Sequence, residues 1–120
     1  MTELMKLQRS RCSILPLVLK GKWFDMIARG EKREEYRAIK PYWIKRLKVW
    51  KWTEPYEQPY WIVAFSRGYR KPSLFCEVAC VRRRDWAFRP EWGEPAEPHF
   101  VIELGGRVDL TDSENVEVPR

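Results

Sequence analysis

The stretch from Gly30 to Arg37, Gly-Glu-Lys-Arg-Glu-Glu-Tyr-Arg, constrains the fold more than any other part of this chain. Six of its eight residues are charged. It lies between two segments with helical apolar spacing, where a domain of 120 residues should be building its core. Two arrangements accommodate such a run: a solvated edge strand, or the floor of a polar cleft. After Gly30 the residues alternate strictly, Arg33, Glu35, Arg37 and Ile39 against Lys32, Glu34, Tyr36 and Ala38, which is the period of a strand. One face then carries Arg-Glu-Arg at two-residue spacing, and interleaved signs can pair along or across a strand and tolerate partial burial. Glu35 and Arg37 share that face. Lys32 joins them only from a turn after Gly30, before regular pleating begins.

The flanks define the rest. Ser13 to Lys20 is a short apolar run of strand length, and Pro16 directs it to a sheet edge or to a start after the proline. Gly21 to Arg29 places Trp23, Met26 and Ile27 on one helical stripe, with Gly30 as a left-handed cap. Pro41 to Lys48 reads as a second helix with proline in its first turn, Trp43 and Leu47 on one face and Lys45, Arg46 and Lys48 off it. Val49 to Pro59, with Trp50, Trp52 and Tyr56, reads as an aromatic loop. Tyr60 to Arg67 and Ser73 to Arg83 are strands joined by a turn over Gly68 to Pro72, an antiparallel hairpin. Asp85 to Pro98 is a long loop rich in proline, tryptophan and glutamate. His99 to Leu104 is a strand, Gly105-Gly106 a turn, and Val108 to Leu110 a last short strand. Strands outnumber helices and most connections are short. The expectation is one α+β domain, a small mixed β-barrel with two or three short helices, over residues 13–110. Residues 1–12 form a lead-in and 111–120 a polar tail.

Charge is distributed unevenly. Lys20 to Lys51 holds eleven Lys and Arg against four Asp and Glu, and Arg67 to Arg89 seven against two. Glu91 to Arg120 reverses this with two against eight. A net charge of +6 and clustered cations with aromatics between them point to a polyanionic partner. Lys20, Lys22, Lys32, Arg33, Arg37, Lys40, Lys45, Arg46 and Lys48 are candidates to neutralise phosphate. Tyr36, Tyr42, Trp43, Trp50 and Trp52 are candidates to stack on bases, apart from those the core requires. Three cysteines, Cys12, Cys76 and Cys80, make no disulfide framework, so reduced thiols in a cytoplasmic compartment are expected. No run is long enough for a signal peptide or a membrane span.

Other chemistries find little support. Cys76 and Cys80, four apart on one strand, stand about 13 Å apart at strand rise and cannot chelate one zinc, so no metal is expected. The single His99 heads an apolar strand and suits a nucleophilic triad poorly. There is no phosphate-loop or dinucleotide fingerprint and no cofactor is implied. Lysine–carboxylate chemistry remains open, because Lys32 beside Glu34 and Glu35 has the makings of a base or nucleophile if burial lowers its pKa.

The run Leu-Pro-Leu-Val-Leu-Lys, the helix Trp-Phe-Asp-Met-Ile-Ala-Arg and then Gly30, Lys32, Glu35 and Arg37 in the pattern Gly-x-Lys-x-x-Glu-x-Arg resemble the start of an ASCH domain, a branch of the PUA-like superfamily. His99 to Gly106 is similar to the closing strand of its small bacterial and phage members. The resemblance spans roughly Ile14 to Leu110. It implies a PUA-like β-barrel with a cleft beside the hallmark segment that binds RNA or a nucleotide, with Lys22, Gly30, Lys32, Arg33, Glu35 and Arg37 as the binding residues. One ASCH branch resembles nucleoside amidohydrolases acting on acylated cytidine through a Lys, a Thr and a Glu. Lys32 matches the Lys, and Glu35 stands where that branch has Thr. Glu91, Glu94 and Glu97 are candidates for the third group. The alternatives are thus such a hydrolase, or a ribonuclease, with Lys32 and Glu35 as catalytic pair, and a protein-interaction module using the acidic C-terminal third.

Overall fold

The computed structural model describes residues 14–47 and 62–109. The elements run β1 (Ile14–Leu19), α1 (Gly21–Ala28), β2 (Glu34–Ala38), α2 (Pro41–Leu47), β3 (Ile62–Arg67), β4 (Leu74–Arg84), a single 3-10 turn (Pro90–Trp92) and β5 (His99–Val108). The five strands form one curled sheet, a half-barrel in the order β1-β3-β4-β5-β2, accompanied by the two helices. This is a small α+β fold compatible with a small mixed barrel. β1 runs parallel to β3, while β3–β4, β4–β5 and β2–β5 are antiparallel. The lead-in, the polar tail and the aromatic loop with Trp50, Trp52 and Tyr56 lie outside the described residues.

The alternation of β1 explains its place. Leu15, Leu17 and Leu19 point into the main core with Val63, Phe65, Leu74, Phe100 and Ile102. Ile14 lies on the opposite face, in a smaller cluster with Ile62 and Ala64. Pro16, which cannot donate to a ladder, is tolerated because β1 is an edge strand. The stripe of α1 buries Met26 and Ile27 against the sheet, and Leu47 anchors α2.

One expectation needs correcting. Gly105 and Gly106 do not turn the chain; β5 continues through them to Val108. They sit opposite Glu77, where the β4–β5 register slips, so two residues of β5 face one of β4. A Cβ on Gly105 would lie 3.3 Å from Glu77 Cβ, so glycine here permits a close, bulged pairing. A second slip between Val78 and Cys80 inverts the alternation of β4. Cys76 and Val78 face the core before it and Val81 after it, leaving Cys80 against Glu103.

Among the described residues β1 and β2 are the two edges of the sheet. Arg37 of β2 spans between them, its Nη2 donating to Val18 O of β1 at 3.4 Å. The open seam of the half-barrel is where the charged hallmark segment lies.

Candidate functional site

The position of Lys32 begins with the end of α1. Gly30 has φ 78°, the left-handed region that glycine enters without a Cβ penalty. Gly30 N donates to Ile27 O and Glu31 N to Met26 O, the paired bonds of a Schellman cap. The same Met26 carbonyl accepts from Lys32 N at 3.1 Å. Lys32 is thereby held in the turn, ahead of β2, and its side chain swings over the strand edge to reach Glu35.

The Lys32 side chain has 0% exposure. Its ammonium lies 3.1 Å from Glu35 Oε1 and donates to Trp92 O at 2.7 Å. The rings of Tyr36 and Trp23 form the remaining walls, with centroids 4.5 and 5.2 Å from Nζ. Burial pushes the ammonium below the ordinary lysine range, against the pull of Glu35 in the other direction. The other Glu35 oxygen accepts from Arg37 Nη1 at 2.8 Å. Arg37 also donates to Tyr36 O and stacks over Trp43. Lys32, Glu35 and Arg37 thus form one chain of alternating charge, half of it sealed in the protein.

The opposite face of β2 carries a second network. Arg84 donates to both oxygens of Glu34 at 3.0 Å and to Glu94 Oε2 at 2.7 Å. Tyr36 OH donates to Glu34. His99 Nδ1 donates to Glu97 O, a carbonyl that can only accept, and Nε2 shares a 2.6 Å bond with Glu94 Oε2. The other Glu94 oxygen accepts from the amides of Phe88 and Arg89. Burial works against the charge of Glu94, but these amide, guanidinium and imidazole bonds outweigh it and hold the carboxyl below its usual range. Burial likewise opposes ionised Glu34, and the bonds from Arg84 and Tyr36 prevail. Burial and the bond to Glu34 raise the Tyr36 hydroxyl far above the ordinary range. This network fixes the loop after β4 so that Trp92 O meets Lys32. Gly93, φ 83°, lies so close to Trp23 that a Cβ would stand 2.7 Å from the indole.

A concavity of about 560 Å³ lies at the seam. Arg37 of β2, Arg46, Tyr42 and Trp43 of α2, and Tyr69 and Arg70 of the β3–β4 turn converge on it, with Pro16 and Val18 of β1 along one side. Among the described residues no Asp or Glu lines it. Tyr69 is 99% exposed and its ring is open, whereas Tyr42, 61% exposed, has the Arg46 guanidinium 5.9 Å over its ring and meets Trp43 edge to face.

Of the residues singled out from sequence, Lys32, Glu35 and Arg37 come together, and of these Arg37 alone lines the pocket. Gly30 shapes the turn. Lys22 is exposed on α1, its ammonium 4.7 Å from the centroid of the Trp23 ring that also walls Lys32. Arg33 is exposed, and its backbone carbonyl accepts from Leu104 N. Of the glutamates considered as a third group, Glu91 pairs with exposed Arg89 and Glu97 contributes its carbonyl, while Glu94 is buried in the second network. Sequence reading missed Tyr69 and Arg70, whose only signal was a Tyr-Arg-Lys run at a hairpin tip, and missed the link between Arg84, Glu94 and His99. Among the described residues no group of three or more His, Cys, Asp and Glu could hold a metal ion, and no helix is long and apolar enough to cross a membrane.

Fold and site together define a curled α+β half-barrel whose open seam is a cationic, aromatic-lined pocket backed by a buried lysine. Comparison with protein-family models, with curated proteins and with solved structures finds no match.

Proposed function

We propose that this is a PUA-like protein of the ASCH type that binds RNA or a nucleotide in the seam pocket. One observation carries the reading: among the described residues, three guanidiniums and three aromatic rings, and no acidic side chain, line a single concavity. Cations neutralise phosphate, ring faces accept unstacked bases, and the volume falls in the range of small-ligand sites, about 300–1,000 Å³. Arg37 is the hallmark residue that meets ligand. Glu35 and Lys32 hold it from behind, Glu35 by its bond to the guanidinium and Lys32 by fixing Glu35.

Fluorescence anisotropy with labelled single-stranded RNA over a range of salt tests this. Arg37→Ala, Arg46→Ala and Arg70→Ala should each weaken binding, and each should reduce the logarithmic salt slope by about 0.7. A triple variant that binds as tightly as wild type refutes the proposal.

A second reading draws on Lys32 itself. A buried lysine with a lowered pKa beside a carboxylate suits a general base or nucleophile, as in a nucleoside amidohydrolase or ribonuclease. Its ammonium is covered, so catalysis requires the Pro90–Gly93 segment to lift from Trp23. Incubation with N4-acetylcytidine or RNA, followed by chromatography, decides. Turnover absent from wild type, or retained in Lys32→Ala, removes this reading.

A further inference from the structure

One wall of the seam pocket is main chain. β1 is a sheet edge, and Pro16, Leu17 and Val18 border the pocket. In a parallel ladder, alternate residues turn both their N–H and C=O toward the neighbouring strand, and those between turn both away. Three observations assign the two sets. Leu19 turns its carbonyl inward, where it accepts from Gly68 N at 2.7 Å. Val18 O is met from the opposite side by Arg37. Pro16 has no N–H and is accommodated where the ladder needs none. Pro16 and Val18 therefore present their main chain outward. Between them stand the Pro16 carbonyl and the Val18 amide, one acceptor beside one donor. Among the described residues no strand pairs with that edge.

We infer that the Pro16 carbonyl and the Val18 amide read the Watson–Crick edge of one unpaired base held in the pocket. Each base offers a donor beside an acceptor along that edge, and in single-stranded RNA the edge is free for protein contacts. The base stacks on the open ring of Tyr69, its edge meets β1, and its phosphates meet the arginines. A base already paired in a duplex has no edge to offer, so the site selects single strands. The inference rests on the nucleic-acid reading above. An extended peptide is the other ligand such an edge accepts. It fits less well, because Arg37 already covers Val18 O, which a continuing strand would need, and because the surrounding walls are guanidiniums and ring faces.

The experiment uses anisotropy with three labelled oligouridines: unmodified, N3-methylated and 5-methylated. The N3-methyl group blocks the Watson–Crick edge; the 5-methyl group adds the same bulk and leaves the edge free, and neither changes the charge. Wild type should bind the N3-methylated strand about tenfold more weakly, the worth of one or two net hydrogen bonds, and the 5-methylated strand as well as the unmodified one. Val18→Pro removes the amide at an outward-facing edge position where proline is tolerated, as at Pro16. It should keep the thermal midpoint close to wild type and weaken binding of the unmodified strand several-fold, while the Pro16 carbonyl, which meets the N3–H, still discriminates against the N3-methylated strand. Val18→Ala, which keeps the amide, should still discriminate and should not lose affinity. Equal binding of all three strands with normal salt dependence overturns this inference and leaves the proposed function standing. Binding of the unmodified strand that Val18→Pro leaves unchanged also overturns it, as does displacement of RNA by an extended peptide with no effect of N3 methylation. If wild type binds none of the strands, both readings fall.

Discussion

Replacing Glu35 by alanine should be among the most damaging single changes in this protein. The carboxylate is 6% exposed and joins Lys32 at 3.1 Å to Arg37 at 2.8 Å. Without it, the fully buried Lys32 ammonium keeps the Trp92 carbonyl and two ring faces but loses its contacting anion. Arg37, 18% exposed, can turn to water and contributes less. Breaking a buried pair by removing one partner costs about 3–5 kcal/mol, a fall of roughly 10–20 °C in the melting midpoint at this size. The loss should depend on pH with a definite sign. The folded pKa of Lys32 lies below its ordinary 10.5. Between the folded and unfolded values, the unfolded chain binds a proton that the folded protein has released, so stability rises with pH through that window. Glu35 pulls the folded pKa upward, so its removal extends the window to lower pH. The deficit of Glu35→Ala relative to wild type should therefore shrink as the solution becomes alkaline. Urea unfolding followed by tryptophan fluorescence, at about pH 7 and about pH 10, measures both quantities. A deficit below about 1 kcal/mol, or one equal at both pH values, refutes the account of Lys32 as a buried cation dependent on Glu35.

Two glycines with similar backbone angles should respond differently to alanine. Gly30→Ala adds strain alone, since nothing lies within 4 Å of the new Cβ, and should cost about 1 kcal/mol. Gly93→Ala adds a collision with Trp23 and should cost more, about 2 kcal/mol or above, while raising labelling of Lys32 by an amine-reactive reagent read by mass spectrometry. Glu94→Gln should flatten the acid limb of the stability profile. Because the folded pKa of Glu94 is depressed, its contribution is present above the unfolded value near 4.5 and is lost as pH falls through the folded one, so acid titration of wild type and variant should converge at low pH. Gly106→Val, in the β4–β5 bulge and 3.3 Å from Glu77 Oε1, should be tolerated better than Gly105→Val, which meets the Glu77 backbone; thermal melts of the two variants rank them.

The order of elements was legible because it rests on local periodicity. The two helices, the glycine cap, the β3–β4 hairpin and the edge position of β1 all follow from spacing, proline and glycine. So did the condition on Lys32, since only a residue ahead of the pleat can cross to the face of Glu35. Local reading failed where a residue's role depends on a partner far along the chain. Gly105-Gly106 has the composition of a turn, and only the Glu77 side of the ladder shows it to be a bulge.

Residue order alone puts a charged strand beside the core with its charges alternating, because order sets both parity and sign. Which of those charges faces solvent depends on partners far along the chain. Trp92 and Tyr36 close over Lys32 from elements sixty and four residues away, so the lysine is sealed while Arg37 reaches the seam. The pocket is assembled from β1, β2, α2 and the β3–β4 turn, segments that share no local pattern and meet because the sheet curls without closing.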